Sequence, residues 1–193
     1  MTLPYRRILV AGLAAVMLVA MAASGGASTA PAPSTLAEGR HDFDWEIGTW
    51  RTTVRVLAEP LSESADQWLD FAGTSVVRQL MDRRANVVEL AVAGPSGRID
   101  GLNLRLYEPQ DDRWSSTFVN IRDGLLTPSV HGGFHDGVGE FHGDDQLDGR
   151  PIKVRFLIFR QGQDKARFEQ AFSADGGATW ETNWIAVDRR IRR

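Results

Sequence analysis

The sequence predicts an all-β fold, an up-and-down antiparallel β-barrel of about ten strands that fills residues 41–193 as a single domain. Three observations predict it. From Trp50 onward apolar and polar residues alternate with period two, turn-forming residues recur at even spacing, and no segment of this region shows a helical repeat. Short turns force sequence neighbours to pair antiparallel. The same strands would also build a two-sheet sandwich, but a closed barrel leaves no exposed sheet edge.

The chain ahead of the barrel reads as an export segment. Arg6 and Arg7 precede an apolar run from Ile8 to Ala23, after which small and turn-forming residues take over. The run is shorter than the roughly 20 residues that span a bilayer, and it is apolar on every face, unlike an amphipathic helix. Residues 1–30 are therefore expected to be a cleavable secretory signal, cut after Ala22 or nearer Ser28, with 31–40 as a disordered leader. The expected location is periplasmic or secreted, with no membrane span after cleavage. The Arg6-Arg7 pair leaves a twin-arginine route open beside the general one.

Composition narrows the chemistry. With no cysteine, disulfides, thiolate metal sites, cysteine nucleophiles and a lipobox anchor are excluded, and stability rests on the core alone. Arg6 and Arg7 are the only charged residues of the first thirty, so the remainder is more acidic than the net −3 of the whole chain. Nucleic acid is thus not an expected partner. The arginines at 189, 190, 192 and 193 read as a solvated tail.

Candidate strands run over 49–58, 67–80, 85–93, 101–108, 113–122, 126–133, 138–145, 151–160, 165–173 and 179–188. Gly94-Pro95-Ser96-Gly97, Asp111-Asp112, Asp136-Gly137, Asp148-Gly149 and Asp175-Gly176-Gly177 supply the turns between several of them. Strand parity then assigns faces. Ile152, Val154, Phe156 and Ile158 are expected inside, as are Leu102, Leu104 and Leu106, with Asn103 and Arg105 outside. Trp50, Thr52, Val54 and Val56 share one face; so do Trp114, Ser116, Phe118 and Asn120, and likewise Phe168, Gln170 and Phe172.

An inner face that mixes aromatic walls with isolated polar groups suits a small, mostly apolar ligand, because the walls supply affinity and the polar groups orientation. Thr52, Trp114, Ser116, Phe118, Asn120, Phe168 and Gln170 are the candidate ligand-binding residues. The competing reading is a filled core in which Thr52, Ser116, Asn120 and Gln170 bond to each other or to buried water.

Motifs refine the fold more than the function. Gly48-Thr49-Trp50 at the head of the first strand, with Arg189 and Arg190 at the end of the last, is similar to the calycin or lipocalin arrangement. That resemblance implies a tryptophan plugging one barrel end with a C-terminal arginine stacked on it. The wider pattern resembles a family of exported bacterial proteins of unknown function with a calycin-like barrel. It runs through Asp44-Trp45-Glu46-Ile47-Gly48-Thr49-Trp50, Gly73-Thr74-Ser75-Val76-Val77, Arg84-Ala85-Asn86, Phe168-Glu169-Gln170-Ala171-Phe172-Ser173 and Asn183-Trp184-Ile185. The family implies fold and location and brings no activity, cofactor or catalytic residues.

Ser173-Ala174-Asp175-Gly176-Gly177-Ala178-Thr179-Trp180 resembles the Asp-box of sialidase propellers, but a single copy cannot make a propeller, so it is expected to be a structural turn. His131, His135 and His142, with Asp136, Glu140 and Asp144 nearby, have the residue types for a metal or haem site; the intervening glycines instead point to exposed loop histidines. No cofactor or metal is assigned. A lumen enzyme of isomerase or hydrolase type would need a buried carboxylate, for which Glu46 and Glu169 are the candidates. Asp42, Asp44 or Glu46, with His41 adjacent, could serve acid-base chemistry near a barrel end, but neighbours in sequence rarely converge, and the pair Asp44 and Glu46 is as easily explained as capping a short closing turn before the first strand. No Gly-x-Ser-x-Gly elbow, phosphate loop or dinucleotide fingerprint occurs.

Overall fold

The computed structural model describes residues 38–64 and 66–191. The export segment expected over 1–30, most of the leader and Arg192 and Arg193 lie outside the described residues. Two 3-10 turns, Glu38–His41 and Asp44–Glu46, lead into eleven strands: β1 (Gly48–Leu57), β2 (Trp68–Leu80), β3 (Ala85–Gly94), β4 (Gly97–Glu108), β5 (Arg113–Asn120), β6 (Leu125–Leu126), β7 (Val130–His135), β8 (Val138–Leu147), β9 (Arg150–Arg160), β10 (Lys165–Ser173) and β11 (Glu181–Arg190). Each strand pairs antiparallel with its sequence neighbours except at β6, where β7 pairs with β5 instead. β1 also pairs with β11 and β4 with β5, so the sheet closes on itself as a ten-strand up-and-down barrel. β6 hangs on β5 outside that ring, pairing Asn120 with Leu125. The single strand expected over 126–133 is thus two pieces interrupted by Thr127-Pro128-Ser129, where proline withholds a ladder donor.

Register fixes which side chains face inward. Thr52 lies opposite Gly73, Gln170 opposite Phe156 and Phe168 opposite Ala186, each pair on the inner face. Two glycines permit close strand approach at bends. A Cβ on Gly73 would run into the Ala91 carbonyl oxygen, and one on Gly132 into that of Glu140.

One face assignment is overturned. Leu102, Leu104 and Leu106 point outward, Leu104 and Leu106 being 38% and 46% exposed, while Ile99, Gly101, Asn103, Arg105 and Tyr107 point inward. Pairing with β5 dictates this, because Asn103 opposes Phe118, Arg105 opposes Ser116 and Tyr107 opposes Trp114. Simple hydrophobicity misleads here: a buried arginine is tolerated because a carboxylate meets it, whereas the leucines lose little by lying on a sheet surface.

The chain before β1 plugs one barrel end. Phe43 is 2% exposed and meets Trp114 and Phe134 edge to face, at 5.0 and 5.1 Å between centroids. Trp114 Nε1 donates to the Gly39 carbonyl at 2.8 Å, and Trp50 Nε1 donates to the Glu46 carbonyl at 2.7 Å. Arg190 stacks on the Trp50 ring at 4.0 Å and donates to the Ile47 carbonyl at 2.8 Å and to the Trp45 carbonyl. This is the tryptophan and arginine closure that the sequence led us to expect. Arg190 makes it, and Arg189 is exposed.

The Asp-box is a structural turn. Asp175 accepts from the Thr179 amide at 2.9 Å and its hydroxyl at 2.7 Å, which hold its carboxyl well below the usual range, and Ser173 Oγ accepts from the Gly177 amide at 2.8 Å. Trp180 then lies under Arg155, whose guanidinium is 4.6 Å from the ring.

Arg190 is expected to carry more stability than its exposed neighbour. Arg190→Ala should lose about 2 kcal/mol in urea denaturation, and Arg189→Ala should stay within about 0.5 kcal/mol of the parent.

Candidate functional site

The inner face is unevenly filled. On the β7 to β9 side, Val130, Phe141, Ile152, Val154, Phe156 and Ile158 form a closed cluster with the plug residue Phe43. Across the barrel, inward residues of β3 to β5 (Leu90, Ile99, Asn103, Phe118, Asn120) and of β10 and β11 (Phe168, Gln170, Trp184, Asp188) are only half-buried. Four of these, Leu90, Ile99, Phe168 and Trp184, pack against a second buried cluster of Val54, Val56, Phe71, Val92 and Ala186.

Its floor, next to the plug, is polar. Thr52 Oγ1 lies 2.5 Å and Ser75 Oγ 3.3 Å from Asp188 Oδ1, with 2.9 Å between the two hydroxyls. Thr52 and Ser75 are 1% and 4% exposed. Alongside, Arg105 pairs with Glu46 at 2.5 Å, the two side chains being 7% and 13% exposed, and reaches Asn86 Oδ1 at 3.4 Å. The Arg105 guanidinium also sits 4.2 Å from the Phe43 ring. A charge so enclosed persists only because its partner is enclosed with it.

Asp188 has no such partner. Burial pushes its carboxyl up to about 6; the Thr52 bond pulls it down, the nearby Glu46 carboxylate raises it, and Ser75 and Arg105 lower it. Both hydroxyls meet Oδ1. Oδ2 has no hydrogen-bond partner among the described residues. Such a group can accept a hydrogen bond or a positive charge from a guest, or take a proton near pH 6.

All seven candidate ligand residues face inward, but they do different work. Trp114, 1% exposed, belongs to the plug packing, and Thr52 belongs to the floor network. Ser116 donates to Asn103 Oδ1 at 2.9 Å, and Asn120 Oδ1 receives the Arg122 amide at 3.0 Å in the turn beyond β5. Phe168 stacks edge-on with Phe156 at 5.1 Å, and Gln170 donates to Asn183 Oδ1 at 2.8 Å. Phe118 lies directly over Gly101, which leaves room for its ring.

Parity along β11 would have found Asp188, which lies two and four residues beyond Ala186 and Trp184, both inward. Asn183 had no such signal. It is the extra residue of a bulge, where the β10 partner steps from Trp184 to Thr182.

Of the catalytic candidates, Glu46 is committed to Arg105, and Glu169 points outward and pairs with Arg167, which removes it from the lumen. Nor are the histidines on flexible loops. Gly132 and Gly133 continue β7, so His131 and His142 face each other across β7 and β8 on the outer surface. His131 bonds Glu108 and His142 bonds Glu140, each at 2.8 Å. Among the described residues no group of three or more acidic or histidine side chains is arranged to hold a metal. Likewise, none of the described helices is long and apolar enough to cross a membrane.

No family model and no curated protein matches the chain. Among solved structures, the S-type phycobiliprotein lyase from Guillardia theta is similar in fold, with TM-score 0.54 and 11% identity over 78% of this chain and 91% of that one. EF1p2_mFAP2b bound to DFHBI matches at TM-score 0.43 and 10% identity, covering 80% of this chain and 100% of the other, too low to carry an argument. At such identity the likeness shows the fold alone, a calycin-like barrel.

The raised Asp188 carboxyl has a stability consequence with a definite sign. Its folded value lies above its unfolded one, so its contribution is fully present below about pH 4 and is lost as pH rises through about 6. Relative to Asp188→Asn, wild type should lose on the order of 3 kcal/mol between pH 4 and pH 7 in thermal melts. Asp42, also pushed up to about 6 by burial, titrates in the same range and cancels in that paired comparison.

Proposed function

We propose that the barrel is a carrier or receptor for a small, mostly apolar molecule held in its lumen, and that the protein is exported. The observation that carries the binding reading is the half-buried inner wall of Leu90, Ile99, Phe118, Phe168 and Trp184 together with an inward Asp188 whose Oδ2 has no hydrogen-bond partner among the described residues. Apolar walls with one or two oriented polar atoms are the usual anatomy of a small-molecule site. Export is supported by the apolar run Ile8 to Ala23 behind Arg6 and Arg7.

Filling the lumen should abolish binding and leave the fold intact. Leu90→Trp is expected to weaken the neutral dye N-phenyl-1-naphthylamine at least tenfold by fluorescence titration, at about 1–3 kcal/mol of stability. Leu104→Ser, on the outer face, should bind like wild type. Equal dye binding by Leu90→Trp would remove the lumen as the site. For export, the first residue of protein taken from its native cells should fall just after Ala22 or near Ser28; an intact Met1 would end that part of the proposal.

A further inference from the structure

Resting on the lumen-binding reading, the geometry points to a guest of a definite class: an amphipathic amine or ammonium, its positive nitrogen held at Asp188 Oδ2 and its apolar body between β3 to β5 and β10 to β11.

The first support is the unfinished coordination of Asp188. Thr52 and Ser75 both address Oδ1, and Oδ2, on an inward-facing residue, has no hydrogen-bond partner among the described residues. Hydrogen bonds from two hydroxyls orient the carboxylate without neutralising it.

The second is the charge balance of the interior. Among the described residues, the charged side chains that face inward are Glu46, Arg105, Asp145, Glu181 and Asp188, with Arg160 and Arg190 stacked on Trp45 and Trp50 at the plug. Glu46 and Arg105 neutralise each other. Glu181 accepts the Leu61 amide at 2.6 Å and Asp145 the Gln146 amide at 2.7 Å, so neither is matched by a cation. At the plug end Arg105 is taken by Glu46, and Arg190 by Trp50 and two backbone carbonyls, which leaves Asp188 without an ion-pair partner among the described residues and favours a cation there over an anion.

The third is an orphan donor. Asn183, 2% exposed, gives its oxygen to Gln170, but its Nδ2 has no partner. A buried amide left unmatched is a donor that a guest's hydrogen-bond acceptor can meet. Phe168 and Trp184, inward on β10 and β11, add aromatic surface of the kind that favours cations over neutral groups.

The charge at Asp188 responds to pH. The groups facing it are Glu46 from the plug, Arg105 from β4 and the hydroxyls of β1 and β2, while β10 presents Ala166. Its carboxyl, pushed up to about 6, takes up a proton as pH falls from 7 to 5, and the cation loses its counter-charge.

The experiment compares three probes with one ring system on the mature protein: 2-(1-naphthyl)ethylamine, 2-(1-naphthyl)ethanol and 1-naphthylacetate, titrated by fluorescence at pH 7. The amine should bind at least tenfold tighter than the alcohol, with the acetate weakest. Asp188→Asn should bring the amine down to the alcohol's affinity and leave the alcohol within about twofold; Glu169→Gln, outside the barrel, should change neither. From pH 7 to pH 5 the wild-type amine affinity should fall about tenfold while that of the alcohol holds. That series reads the same charge if Asp188→Asn does not fold. An alcohol or acetate that binds as well as the amine, or an amine preference that survives at pH 5 or in Asp188→Asn, overturns the cation and leaves lumen binding standing. No binding by any of the three overturns the lumen reading itself.

Discussion

The stack of Arg190 on Trp50 joins the two ends of the barrel, and the rest of the architecture depends on that junction. Trp50 opens the first strand and Arg190 closes the last, and they lie opposite each other where β1 meets β11. From there the guanidinium reaches back to the Trp45 and Ile47 carbonyls, which fixes the path of the chain entering the barrel. Phe43 and Glu46 lie on that path. If it were loose, the aromatic packing of Phe43 on Trp114 and Phe134 would open, and so would the pairing of Glu46 with Arg105. One contact thus controls both the apolar plug and the polar floor beside it.

That floor is expensive to build. Enclosing Arg105 and Glu46 removes two charges from water, and their mutual attraction offsets the loss only when geometry and additional bonds are good. Asn86 and the Phe43 ring provide those extra partners. Truncating either ion would strand the other, so the pair is held in place more firmly than its net contribution suggests. Asp188 is the contrasting case in the same environment: its proton affinity, not a counter-ion, absorbs the penalty of burial.

How much of this was legible in the sequence depended on whether local alternation and tertiary pairing agreed. They agree in β9, where Ile152, Val154, Phe156 and Ile158 alternate with charged or boundary residues and lie inside. They disagree in β4. Leu102, Leu104 and Leu106 form the more hydrophobic face of that strand, yet Tyr107 and Gly101 must meet Trp114 and Phe118, and a register cannot satisfy both faces. The Trp50 and Arg190 closure was readable because the motif and the chain end are both local marks. The site was half readable: parity placed Thr52, Phe168 and Gln170 inside and, carried along β11, reaches Asp188 as well, but the bulge that turns Asn183 inward leaves no trace in an alternation pattern.

The uneven filling follows from where the bulky residues fall around the ring. β7 to β9 send Phe134, Phe141 and Phe156 inward toward the plug, and these rings meet and exclude water. β1 and β2 send Thr52, Gly73 and Ser75 to the same level, side chains too small to reach across a barrel of this width. A ten-strand ring lined with large residues on one arc and small polar ones on the other cannot fill its interior symmetrically. The two arcs close in separate clusters instead, an aromatic one around Phe43 and a second of Val54, Val56, Phe71, Val92 and Ala186.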